Sequence, residues 1–255
     1  MIGIGDLHGH WRRAWIKAPG FEDTTTHVHW MQCGAYYADV RIPDGLPDIS
    51  GARSLSDLDP ETLRTLMQAE GFAGTISVEN DVCTWARRIN WHGKPDAVDA
   101  GKMSFDADGA LIEDGVHADY RELWVRQPHA PLEALGCTAD GQEIFLMSSE
   151  TAFVLAVGAT DTPASRSLVS ALDEGKKPAG LEAHFSCFYV FGRWEGLDGI
   201  ALLGTNPLMT GDTVLSRSEQ DQRQFRLAYR TYDGSWQSKE LAFRTLDQAC
   251  PQRSR

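Results

Sequence analysis

The chain has 255 residues, 42% of them apolar and 24% charged, and a formal net charge of -12. That length holds one large β domain or two of ordinary size, and it buries a core without disulfide staples. The acid excess repels phosphate backbones, and with no basic run or Arg/aromatic stripe the composition argues against a nucleic-acid partner.

The N-terminal Met1–His10 stretch has no basic segment followed by an apolar one, so it does not read as a signal peptide. No apolar run is long enough to span a bilayer. The cysteines, Cys33, Cys83, Cys137, Cys187 and Cys250, are odd in number, widely spread and free of any CxxC spacing. This argues against a disulfide framework and a structural zinc site, and predicts reduced thiols in a cytoplasmic protein. Four of them fall in apparent strands, where Cys serves as a small buried hydrophobe.

Alternation dominates the chain. Strands are predicted at about His10–Lys17, Thr26–Gln32 and Ala35–Ile42. A helix follows from about Asp59 to Glu70, with Asp59 as N-cap, Pro60 at the first position and Leu63, Leu66 and Met67 as its apolar stripe. Five more strands come next: Phe72–Glu79, Val82–Trp91, Ala100–Phe105, Ala110–Gly115 and Ala118–Arg126, with Asp106–Gly109 as a hairpin turn. The prolines of Gln127–Pro131 then break the pattern. Strands at Leu132–Thr138, Glu143–Ser148 and Ala152–Gly158 precede a second helix, Thr162–Glu174, with Thr162 as N-cap and Pro163 next. Ala183–Trp194, Gly199–Leu203, Thr213–Leu215, Phe225–Tyr232 and Ser235–Phe243 complete the count, the last two joined at Asp233-Gly234.

Three strands, one helix and five strands, twice over, is the pattern of an internal duplication. The repeat lies in pattern rather than identity. Eight strands close a barrel that side chains fill or that holds one small ligand, and closure removes exposed sheet edges. The expected fold is mainly β: two tandem antiparallel lipocalin-like, or calycin-like, barrels, each with one short helix. The expected domains are residues 1–128 and 129–255.

Several segments also carry a family likeness: His29-Trp-Met-Gln32, Tyr37-Ala-Asp-Val-Arg-Ile-Pro43, Gly71-Phe-Ala-Gly74, Asp81-Val-Cys-Thr-Trp85 and His117-Ala-Asp-Tyr-Arg-Glu-Leu-Trp124. They resemble the first half of a microbial family of lipocalin-like double β-barrel proteins. The resemblance runs from about Trp11 to Arg126 and is weak beyond Pro131. It implies the fold. It brings no catalytic residue, because the family has no settled biochemical activity.

Gly5-Asp-Leu-His-Gly9 is similar to the first metal motif of calcineurin-like metallophosphoesterases. The other ligands of such a site, a Gly-Asn-His-Glu and a Gly-His-x-His, are missing, and so is βαβ layering. No catalytic metal is expected at Asp6 and His8, and no cofactor elsewhere. His27 and His29 face the same way in a strand, without an evident third ligand.

Asp39 and Arg41 share a strand face with Tyr37, opposite Ala38, Val40 and Ile42. If the apolar face points into the barrel, Asp39 and Arg41 are a surface or inter-barrel ion pair. If the polar face does, they are a buried pair and a functional candidate. In the strand Val82–Trp91, Arg87 shares the more apolar face with Cys83, Trp85, Ile89 and Trp91. An arginine among tryptophans can hold a carboxylate while aromatic walls bury an apolar tail. The bland alternative pairs Arg87 with an internal acid such as Glu113 or Glu122. His117, Tyr120 and Glu122 offer acid–base groups that sequence alone does not assemble, and no Gly-x-Ser-x-Gly elbow or phosphate loop is present.

The candidate ligand-binding set is Arg87, Trp85, Trp91, Tyr37, Asp39 and Arg41. The leading expectation is non-catalytic binding of a small apolar or amphipathic ligand, a carboxylate among the options, in the N-terminal barrel. Two alternatives stand beside it: a protein-interaction module with filled barrels, and a barrel enzyme doing isomerase- or dehydratase-type acid–base chemistry.

Overall fold

The structure, a computed structural model, describes residues 1–49, 51–128 and 131–246. A 3-10 turn at Ile4–Leu7 leads into β1 (Gly9–Ala18), β2 (Phe21–Asp23), β3 (His27–Cys33) and β4 (Tyr36–Ile42). After α1 (Pro60–Leu66) come β5 (Glu70–Glu79), β6 (Val82–Asn90), β7 (Asp99–Phe105), β8 (Leu111–Gly115) and β9 (Arg121–Arg126). Each strand pairs antiparallel with its neighbour in the order β1-β3-β4-β5-β6-β7-β8-β9, and β9 returns to β1 to close a barrel.

The second half repeats the plan. β10 (Glu133–Ala139), β11 (Gln142–Ser148) and β12 (Ala152–Gly158) precede α2 (Arg166–Asp173) and α3 (Leu181–Phe185). There follow β13 (Phe188–Glu195), β14 (Asp198–Gly204), β15 (Thr213–Arg217), β16 (Gln224–Arg230), β17 (Trp236–Ala242) and β18 (Arg244–Thr245). β17 pairs with β16, and β18, immediately after it, pairs with β10, so the last stretch of chain closes this sheet too.

Local chemistry explains the punctuation. Asp59 caps α1 by accepting the Thr62 N–H at 2.7 Å, and Pro60 occupies the first turn, where its missing N–H costs nothing. Asp106 Oδ1 accepts from the Asp108 and Ala110 N–H groups and shapes the β7–β8 turn. The two-residue links Asn80-Asp81 and Asp140-Gly141 have both residues at positive φ, as the twist of a tight hairpin requires.

Four differences from the sequence reading have physical causes. Phe21–Asp23 forms an additional short strand on β1. The second half carries two short helices rather than one. Thr162 does not cap α2: its hydroxyl donates to the Ala159 carbonyl, and the helix begins three residues after Pro163. The segment expected to open a strand at Ala183 is instead α3, whose Leu181, His184 and Phe185 are buried at helical spacing. Of the Gln127–Pro131 junction, His129 and Ala130 lie outside the described residues, as does Cys250.

Buried side chains form three bodies. One fills the first barrel around Trp11, Trp30, Trp85 and Trp124. Another fills the second barrel with Leu135, Leu146, Phe153, Phe188 and Phe225. The third lies between the barrels, where Met31, Ala38, Val40 and Ile89 meet Met147, Val154, Ala156 and Tyr189, flanked by the helices. β3 to β6 are therefore covered on both faces, and the alternation of β4 does not separate core from solvent. Cys33, Cys83 and Cys187 are buried, and the Cys33 thiol donates to the Leu132 carbonyl.

Candidate functional site

One end of the first barrel is plugged from within. Leu7 is fully buried beneath the 3-10 turn, and its carbonyl accepts the Trp11 indole N–H at 2.8 Å. The turn that carries Asp6 and His8 is thus a stopper. Arg126 holds it by donating to the carbonyls of both residues. Among the described residues, no group of three or more His, Cys, Asp or Glu is arranged to hold a metal ion. His27 is exposed, whereas His29 is buried against the second barrel.

Beyond the tryptophan layer the interior opens into a cavity of about 170 Å³. Its wall combines Trp30, Phe72, Trp85, Trp124 and Ile16 with Asp39, Arg41, Arg87, Asp99, Glu113, Tyr120 and Glu122. The polar face of β4 therefore points inward, and Ala38, Val40 and Ile42 join the inter-barrel core. Arg41 donates to Asp39 from Nε at 3.0 Å, and its Nη1 lies 3.9 Å from Glu122. Arg13 bridges Glu122 and Asp23, at 2.9 Å to each. Arg87 donates from Nε and Nη2 to Asp99 Oδ2, at 3.0 and 2.6 Å, with its guanidinium 3.6 Å over the Phe72 ring. Its partner is thus neither Glu113 nor Glu122.

Glu113 and Glu122 sit directly opposite one another on β8 and β9. Like charges in such a pair are unfavourable. Arg13 and Arg41 attend Glu122, while Glu113 accepts the Tyr120 hydroxyl at 2.7 Å and the Trp124 indole N–H at 3.1 Å. Burial, and then the Glu122 charge, push the Glu113 carboxyl well above its ordinary value. Burial also raises Asp39, against the pull of Arg41. One carboxyl favouring its proton beside others held by arginines is an arrangement that separates acid from base.

Four of the six expected residues, Arg87, Trp85, Asp39 and Arg41, line the cavity. Tyr37 is buried beside it, edge-on to Phe72, and among the described residues its hydroxyl has no hydrogen-bond partner. Trp91 is elsewhere. A bulge in the β5–β6 ladder aligns Gly74 with Arg87 and Ala73 with Ile89, leaving Arg88 as the extra residue. Parity flips there, so Ile89 and Trp91 face the second barrel, and the Trp91 ring lies 4.1 Å from that of His184. Arg88, on the outside, reaches Glu143 of the second barrel.

The residues that sequence reasoning left unassembled had a readable signal in part. Glu113 alternates with Leu111, and Glu122 with Trp124, so each acid lies on an apolar strand face. Asp99 gives no such signal, because it opens β7 directly after a loop of Gly, Pro and Asp. His117 is exposed and takes no part. Replacing Arg87 by Met would strand Asp99 inside the barrel. Arg87→Met is expected to lower stability by about 2 kcal/mol, read as a shifted urea midpoint at constant slope; an unchanged midpoint would count against a structural role for the pair.

No family model and no curated protein sequence matches the chain. Among solved structures, the chain is similar to an uncharacterized protein, YLR301w, from Saccharomyces cerevisiae, with a TM-score of 0.53 at 9% identity. The likeness covers 93% of this chain and 97% of that one. At that identity it speaks for the fold alone, a double barrel along nearly the whole of both chains.

Proposed function

We propose that the first barrel is a binding site for a small amphipathic molecule, in the manner of a lipocalin-like cup, with the second barrel as its packed support. The observation that carries this reading is the cavity itself, walled by aromatic rings and convergent polar groups in a barrel otherwise filled. Its volume is near that of engineered cavities of ~150 Å³ that hold benzene. The enclosed part of the ligand is therefore on the order of six to ten non-hydrogen atoms, and a fatty-acid chain is too long for it. Because Asp99 already neutralises Arg87, a carboxylate head on the ligand is not required. The packed interior of the second barrel fits the interaction-module alternative for that half.

An acid–base enzyme is the second reading, favoured by Glu113. A carboxyl that keeps its proton next to Glu122 and hydrogen-bonded to Tyr120 has the character of a general acid.

The binding reading is tested with a library of soluble fragments of that size, followed by tryptophan fluorescence and ligand-observed NMR. Fragments are expected to bind the native protein and to lose binding in Ile16→Trp, which fills the cavity wall. Failure of every fragment, or binding indifferent to Ile16→Trp, would remove the proposal.

A further inference from the structure

Carboxyl groups outnumber arginines in the cavity wall. Two arginines, Arg41 and Arg87, face four carboxyl groups, Asp39, Asp99, Glu113 and Glu122. Arg13 reaches Glu122 from one side, but it is shared with Asp23 and leaves the excess of acid unchanged. Asp39, Asp99 and Glu122 each have a guanidinium within 4.0 Å, whereas Glu113 is held, among the described residues, by the neutral donors Tyr120 and Trp124.

The remaining wall is suited to positive charge as well. Arg41 and Arg87 already lie over the Phe72 ring, at 5.0 and 3.6 Å, and Arg41 also over Trp124 at 6.0 Å, which leaves Trp30 and Trp85 as the aromatic surfaces of the cavity without a guanidinium over them. Trp30 is 1% exposed and lines the cavity, and among the described residues its indole N–H has no hydrogen-bond partner. A buried donor in that state lacks an acceptor.

We propose, building on the binding reading above, that the ligand of the first barrel is a small organic cation: an ammonium or amidinium group on an aromatic or compact apolar body, with a hydrogen-bond acceptor for Trp30. The cation sits against Glu113, which releases its proton to solvent as the cation binds, and against the tryptophan faces, where ring quadrupoles and the resulting carboxylate act together. An anionic ligand would add to the acid excess and meet only arginines already engaged.

Three probes of the same shape decide it: 2-methoxybenzylamine, 2-methoxybenzyl alcohol and 2-methoxybenzoate, titrated calorimetrically into the full-length protein at pH 7. The amine is expected to bind at least 10-fold tighter than the alcohol, and the benzoate more weakly than either. Glu113→Gln, nearly isosteric, should remove that preference, bringing the amine to within about threefold of the alcohol. If the alcohol or benzoate binds as tightly as the amine, or if Glu113→Gln leaves the preference intact, the cation proposal fails while the binding reading stands. If no probe and no library fragment binds, both fail together.

Discussion

Gly71→Ala is expected to destabilise the protein by about 3 kcal/mol or more, at the upper end of what overpacking a core costs. Gly71 lies on the outer face of β5, where the barrels meet. A Cβ there would sit 2.2 Å from Cγ of Tyr189, 2.5 Å from Cδ2 and 2.6 Å from Cβ. These atoms are the stem of a fully buried ring, so no rotation about the end of a side chain relieves the contact. Either β5 or β13 must shift, and both are held in ladders on each side. Urea unfolding should show a lower midpoint and, before the main transition, dye binding from an exposed inter-barrel face. In a Tyr189→Gly background, which removes all three clashing atoms, Gly71→Ala should cost much less. Gly5→Ala, with nothing within 4 Å of the added carbon, is the control. Wild-type unfolding of Gly71→Ala would mean that the barrels do not pack as described.

Stability is also expected to fall steeply as the solution is acidified from pH 6.5 toward 4. Three histidines lie where the barrels meet, His29 and His184 buried and His10 half-buried. His10 and His29 share a hydrogen bond of 2.9 Å, and His29 stacks on Phe191 at 3.6 Å. His184 packs on Trp91. Burial is the main cause that lowers His10 to about 4, His29 to about 2 and His184 to about 3, from the usual 6.5. In this window the unfolded chain takes up protons that the folded chain refuses. The stabilisation is therefore complete above the unfolded value and is lost as pH falls, by up to about 1.4 kcal/mol per pH unit for each histidine. Glu113 and Asp39 act with the opposite sign. Their folded values are raised, so they keep protons that the unfolded chain has released, and their contribution weakens as pH rises. The three histidines outnumber the two carboxyl groups, so a net fall with acidification remains near pH 5. Urea midpoints at pH 7, 6 and 5 measure it. His29→Phe, which keeps a ring against Phe191, should flatten the slope. A level profile in the native protein would contradict the burial of these rings.

The strand order, the hairpin turns, the helix before the fourth full-length strand of each half and the mainly β class were all written locally in the chain. Period-2 alternation, a Pro behind an Asp cap and paired turn residues act over a few residues, and no distant contact overrode them in most elements. The polarity of Asp39 and Arg41 was equally plain. Its direction was not, because β4 is covered on both faces and either side of the strand could have been the interior. Only the second barrel, by claiming Ala38, Val40 and Ile42, turned the charged face inward.

Arg87 and Trp91 make the same point more sharply. They share parity along an ideal strand, and the extra residue at Arg88 separates them: Arg87 faces the cavity and Trp91 the other barrel. A bulge is chosen by the fit between two neighbouring strands, and it leaves little mark on either sequence alone. The meeting of Glu113, Glu122, Asp99 and the two arginines rests on closure of β9 onto β1 and on the register around the ring. The sequence by itself thus determined which residues form strands and turns. The tertiary structure decided which faces point inward, since burial of a strand face is settled by what packs against it.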